Sequence, residues 1–178
     1  IKDDPIFIKS AEAEQFITQN EFKNLSDSSP GLMGTFYQRP NGSICMPFAS
    51  KQIEYLYGLT PEEVKEDASK LLARNHPDDI ERVKKTIQES AENLTPWHCE
   101  FRVIHPSRGV IWLEGSTNPK PHPDGGVIWY GFIHDITKRK IIEEKLKIKE
   151  RHSQSLLRLS KHFEVAQTYE EILEFAYT

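Results

Sequence analysis

Apolar and polar residues alternate with different periods along this chain, and each change of period marks a new element. Between Ala11 and Leu25, Phe16, Ile17, Phe22 and Leu25 stand among polar residues, which predicts a short amphipathic helix. Ser26-Asp27-Ser28-Ser29-Pro30-Gly31 then breaks the chain. Two β-rich runs follow, Leu32 to Gln38 and Ser43 to Ala49. Pro40-Asn41-Gly42 between them is a tight-turn sequence, so they are expected to form an antiparallel hairpin.

From Ser50 the period becomes helical. Ser50 is the expected cap of a short helix carrying Ile53, Leu56 and Tyr57, with Gly58 as its stop. Thr60-Pro61-Glu62-Glu63 has the spacing of a capping box with proline in the first turn. A third short helix includes Leu71 and Leu72. His76-Pro77-Asp78-Asp79 then opens a longer one, with both acids at its positive end. Ile80, Val83, Ile87, Ala91 and Leu94 give this helix one apolar stripe.

After Pro96 the period falls to two. Trp97 to His105, Val110 to Thr117 and Val127 to His134 read as strands, linked through Pro106-Ser107-Arg108-Gly109 and Pro123-Asp124-Gly125-Gly126. Two strands, a group of helices and three strands make an α+β layout: a five-stranded antiparallel sheet with helices on one face. Lys138 to Phe163 contains neither Gly nor Pro and predicts a long exit helix. Ile142, Leu146, Lys149, Ser153, Leu156, Ser160 and Phe163 follow a 4-3 spacing, an imperfect coiled-coil seam with Ile142, Leu146, Leu156 and Phe163 as its apolar members. Thr168-Tyr169-Glu170-Glu171 is a second capping box, expected to start a new helix.

Composition narrows the function. The net charge is −4 over 178 residues, and the only basic run, Lys138 to Arg151, reads as a solvated helix face. No nucleic-acid partner is therefore expected. No apolar run approaches the roughly 20 residues that span a bilayer, so no membrane contact is expected from this fragment. Cys45 and Cys99 lack a CxxC spacing and sit in predicted strands, which fits a reducing cytoplasm and two small apolar fillers. Ile1 in first position leads to the expectation of a longer parent protein. No phosphate loop or catalytic triad order is present, and no catalytic residue, metal or cofactor is predicted. Glu100 with Arg102, and Trp112 with Glu114, read as surface pairs on strands. His98, His105, His122 and His134 have no metal-ligand spacing.

An ordered set of residues then carries a family resemblance. Gly42, Ser50, Gly58, Pro61-Glu62-Glu63, His76-Pro77-Asp78-Asp79, Glu100-Phe101-Arg102, Gly109, Trp112, Asp124-Gly125, Tyr130-Gly131 and Asp135-Ile136-Thr137 resemble the motifs of PAS domains over residues 26 to 137. The resemblance implies a PAS-like sheet flanked by an N-terminal helix (1–25) and a helical linker (138–166). Residues 167–178 resemble the opening of a GAF domain. It also implies a sensory and dimerisation module of a multidomain protein, such as a sensor histidine kinase or a cyclic-di-nucleotide enzyme. A homodimer is expected from the exit helix and the amphipathic N-terminal helix, and the resemblance implies a linked output domain, with the signal leaving through Asp135, Ile136 and Thr137.

A pocket between sheet and helices is typical of the family, and Phe36, Met46, Phe48, Ile87 and Phe101 are its expected lining. Some members bind haem through a histidine near this helix, which makes His76 a candidate ligand. Flavin photochemistry is set aside, because Ala68 to Asn75 contains no cysteine. A ligand-free PAS domain serving dimerisation and signal relay is expected at least as much as a ligand binder, and a purely structural spacer between other domains is a further alternative.

Overall fold

The computed structural model describes residues 21–176 and divides the chain into two units, Ile1–Thr137 and Lys138–Thr178. In the first, a helix over 21–28 (α1) leads into β1 (Leu32–Gln38) and β2 (Ile44–Ala49). Four helices follow: α2 (Gln52–Tyr57), α3 (Pro61–Lys65), α4 (Ser69–Ala73) and α5 (Pro77–Asn93). The strands β3 (Trp97–His105), β4 (Gly109–Pro121) and β5 (Val127–Asp135) complete it. The sheet order is β2-β1-β5-β4-β3, antiparallel throughout. The first strand therefore lies beside the last.

Local chemistry accounts for where these elements begin and end, including where the sequence misled. The part of the predicted N-terminal helix before residue 21 lies outside the described residues. It ends later than expected, at residue 28, where the hydroxyls of Ser26 and Ser28 donate back to the carbonyls of Lys23 and Leu25. Ser50 is not the cap of α2. Its hydroxyl accepts the Met33 amide at 3.1 Å and so ties the chain to β1, while Asp27 accepts the Lys51 amide at 2.9 Å. Gly58 does end α2, at φ +64, where a side chain would be strained. Thr60 and Glu63 form the predicted capping box of α3.

Strand β4 runs to Pro121, past the predicted Thr117. Beyond the Trp97–Thr117 pair β3 has ended, so β4 has only β5 beside it and Pro119 and Pro121 are tolerated. The turn that follows is held to β1: the Tyr37 hydroxyl donates to Asp124, which also meets His122 at 2.7 Å. That hydrogen bond pushes the Tyr37 hydroxyl up to about 12 and holds the Asp124 carboxyl down at about 2.

The core lies between the sheet and α2–α5, with Ile53, Leu56, Tyr57, Val64, Val103 and Leu113 fully buried. Helix α5 is fixed to the sheet at both ends. Near its start, the Asp79 carboxylate is buried and receives the Arg102 amide and Nε, each at 2.9 Å, with Arg82 at 3.3 Å. Arg102 therefore reaches α5, instead of pairing only along its own strand. Toward its end, Ser90 accepts the Trp129 indole N–H at 2.9 Å and Thr86 accepts that of Trp97 at 3.0 Å.

Helix α6 begins at Thr137, the last residue of the first unit, and runs unbroken to Ala176 in the second. It passes through Thr168, where a fresh helix was expected. With no Gly or Pro from 137 to 176, an internal Thr costs well under about 1 kcal/mol of helix propensity and does not stop it. Glu143 pairs with Lys140 at 3.2 Å and Arg139 at 3.9 Å. Ile142, Leu146 and Leu156 are exposed along it.

Asp79→Ala should lower folding stability by about 3 kcal/mol in urea denaturation, because it removes the buried partner of Arg102 and leaves it only the exposed Asp78, at 3.3 Å. The Arg102 hydrogen bonds hold the Asp79 carboxyl far below its ordinary value. The unfolded chain then takes up the proton first as pH falls, so this stabilisation is complete at neutral pH and is lost below about pH 4. The variant should show a flatter acid limb; an unchanged limb would count against Asp79 as the acid-sensitive group.

Candidate functional site

A cavity of about 60 Å³ lies between the sheet and the helices. Its sheet side carries Gly34 and Gly131, a cross-strand pair with no side chains to fill the space. A Cβ at Gly34 would come within 2.8 Å of the Phe48 carbonyl, and one at Gly131 within 2.1 Å of the Ser116 carbonyl. Only glycine fits at either place without backbone movement. Trp97, Phe101 and Trp129 wall the cavity from the sheet, and Tyr57, Leu71, Asn75, Val83 and Ile87 from the helical layer.

Four of the five predicted lining residues, Phe36, Met46, Ile87 and Phe101, line it. Phe48 does not. It pairs with Thr35 on the opposite face of the sheet, its ring 5.2 Å from that of Phe22. Strict alternation would put Met46 and Phe48 on one face, but the register shifts between Thr35 and Tyr37, and that irregularity separates them.

Two of the lining residues carry a buried polar atom with no hydrogen-bond partner among the described residues, the Tyr57 hydroxyl and Asn75 Oδ1. Burial pushes the Tyr57 hydroxyl far above its usual range, so it stays an O–H donor. Neither residue was singled out from the sequence. Tyr57 reads there as one more apolar-stripe residue, and Asn75 as a loop residue.

His76 stands outside this lining. It is the N-cap of α5, and its Nδ1 accepts the Asp78 amide at 3.4 Å. Among the described residues, no three His, Cys, Asp or Glu side chains gather as a metal set. On the sheet's other face, Glu114 is approached by His98 at 2.7 Å and His134 at 3.1 Å.

The second place of interest is the junction at Asp135-Ile136-Thr137. The Ile136 amide donates to the Trp112 carbonyl at 2.9 Å, and the Trp112 amide donates to the Thr137 hydroxyl at 3.0 Å. The β4–β5 ladder thus continues into the first residue of α6. The Thr137 hydroxyl, in the first residue of a helix, accepts a strand amide. Asp135 accepts the Thr137 amide at 2.8 Å and Arg108 at 2.5 Å. Burial raises the Asp135 carboxyl, but the Thr137 and Arg108 bonds outweigh it and leave it below the ordinary range.

Arg108 was not anticipated as a functional residue. It also donates to the Tyr55 carbonyl at 3.1 Å and lies 4.2 Å over the Tyr55 ring. It sits in the β3–β4 turn, where His105 Nδ1 accepts the Ser107 and Arg108 amides, each at 3.2 Å.

Comparison with known proteins identifies the architecture. Residues 46–133 match the family model described as PAS fold. A sensory box histidine kinase/response regulator from Burkholderia thailandensis superposes with a TM-score of 0.53 at 22% identity, over 68% of this chain and 90% of that one. The domain has the PAS fold. The N-terminal domain of a diguanylate cyclase with PAS/PAC sensor from Marinobacter aquaeolei gives a TM-score of 0.51 at 19% identity, over 61% of this chain and 98% of that one. Among curated proteins, a methyl sulfide methyltransferase-associated sensor from Methanosarcina acetivorans is 30% identical over 129 residues, 71% of this chain. The chain spans 13% of that protein's length. PAS domains are sensory modules and occur in signalling proteins such as these.

Tyr57→Phe in this PAS-fold domain should leave stability unchanged or raise it by up to about 1 kcal/mol in thermal denaturation, since the hydroxyl it removes is buried without a partner among the described residues. A loss above about 1 kcal/mol would mean that the hydroxyl has a partner in the folded protein.

Proposed function

We propose that this PAS domain is the sensory and dimerisation module of a multidomain signalling protein, a histidine kinase or cyclic-di-nucleotide enzyme, and passes its signal to α6 through Asp135, Ile136 and Thr137. One observation carries the reading: Arg108 joins α2, at Tyr55, to Asp135 at the start of the exit helix. The same short helix ends in Tyr57, which lines the cavity. A change in what the cavity holds biases α2, and α2 shares Arg108 with the junction. The signal is a population shift between clamped and released junctions, no larger than the differential binding free energy of the input.

Homodimerisation rests on the exposed Ile142, Leu146 and Leu156 of α6, which a second copy would cover. A linked output domain is part of the proposal; the methyl sulfide methyltransferase-associated sensor, of which the chain spans 13%, supports it. A cytoplasmic location goes with two buried free thiols, Cys45 and Cys99. Haem sensing through His76 is the weaker reading, because that ring caps α5 and does not line the cavity.

Arg108→Ala or Asp135→Asn in the intact protein should shift the regulated output at least about fivefold, the size of one lost ion pair of about 1 kcal/mol. Output equal to that of the unaltered protein for both variants would sink the relay and leave a spacer role. Sedimentation equilibrium of the 178-residue chain should give a dimer at tens of micromolar, whereas a monomer throughout that range would remove the dimer proposal.

A further inference from the structure

Resting on the relay proposed above, we propose that His105 makes the Arg108 clamp acid-sensitive: the neutral ring holds the β3–β4 turn that carries Arg108, and a proton on Nδ1 releases that turn and, with it, Asp135. The tautomer follows from the donors around the ring. The Ser107 and Arg108 amides each point at Nδ1 from 3.2 Å, and the Ser107 hydroxyl lies at 3.3 Å. A backbone N–H can only donate, so Nδ1 is an acceptor and the single ring proton sits on Nε2. A second proton, on Nδ1, would face two amide protons at hydrogen-bond distance. The ring then has to turn away, and the turn loses the acceptor that ties residues 107 and 108 to the end of β3.

The surroundings set the direction of the response. The ring is buried against the end of α2, where a Cβ at Gly58 would lie 3.5 Å from Nε2. Nε2 itself makes no full hydrogen bond among the described residues. Burial disfavours the charged ring, the Glu54 carbonyl of α2 favours it, and the Arg108 and Arg74 cations oppose it, which leaves His105 below its ordinary value.

A released turn exposes the ring and restores that ordinary value, about 6.5. As pH falls through it, the released form takes up the proton first. The clamp is therefore complete above about pH 6.5 and weakens below it, down to the lowered value of the clamped form. Asp135 is held below the ordinary carboxylate range and stays charged meanwhile. Because Arg108 also donates to the Tyr55 carbonyl, its release frees α2 together with the junction.

The test is an NMR titration of the full 178-residue chain, followed by imidazole and amide nitrogen shifts. A range from about pH 7.5 to about pH 5 brackets the ordinary histidine value and stays above the acid limb of Asp79. At its start the His105 ring should carry its proton on Nε2. Its midpoint should fall below about 6.5, and the Ser107, Arg108 and Thr137 amides should shift with that same midpoint. His105→Asn supplies an oxygen that accepts amides just ahead of it and cannot take up a proton. That variant should lose most of the acid shift at Thr137. If it does not fold, the tautomer and the shared midpoint of the unaltered chain decide the matter.

A proton on Nδ1 at neutral pH, a midpoint at or above about 6.5, or a Thr137 amide that ignores the His105 midpoint would overturn the switch. So would a full acid shift in His105→Asn. None of those outcomes touches the relay, which stands or falls on the Arg108 and Asp135 variants at constant pH.

Discussion

A buried carboxylate sets the spacing between the two layers of this domain. Asp79 sits in the first turn of α5, where the helix favours an anion, and its bonds to Arg102 and Arg82 compensate a burial that would otherwise cost several kcal/mol. This pairing fixes α5 against β3. Residues 74–76 then lie along β3 as a short extension of the sheet, through the Ile104 and His76 amides. At the far end Ser90 and Thr86 receive the two indole N–H groups, so the helix cannot slide. The cavity is what remains between a helix held at both ends and a sheet that places the cross-strand glycines Gly34 and Gly131 opposite it.

Helix α2 connects this interior to the exit. It is only six residues long, ends in a tyrosine that lines the cavity, and offers its Tyr55 carbonyl and ring to Arg108. Arg108 meets Asp135, and Asp135 meets the first amide of α6. The side chains of Arg108 and Asp135 keep 29% and 18% of their exposure, so the pair is worth about 1 kcal/mol and not the several of a dry ion pair. A contact of that size suits a switch, because a modest binding energy can tip it.

The fold was legible in the sequence because its signals were local. Period-two runs, Asn41-Gly42, Gly58 and the Thr60–Glu63 box fix strands and caps through nearest neighbours, and the structure has each of them. What the sequence hid depends on distant partners. Ser50 looks like a helix cap until β1 lies beside it. Met46 and Phe48 look like one face until the register shift parts them. Arg108 looks like an ordinary turn residue, and nothing local marks its reach to Tyr55 and Asp135. Four cavity residues were readable as apolar positions, whereas Tyr57 and Asn75 gain meaning only from the absence of partners around them.

The most direct test of the central claim, that Arg108 ties α2 to the start of α6, is amide hydrogen exchange on the chain with and without Arg108→Ala. Loss of the guanidinium should speed exchange both at Ile136 and Thr137 and within α2, while amides of β3 and the middle of α5 keep their protection. Exchange that quickens at only one of the two ends, or at neither, would contradict the account.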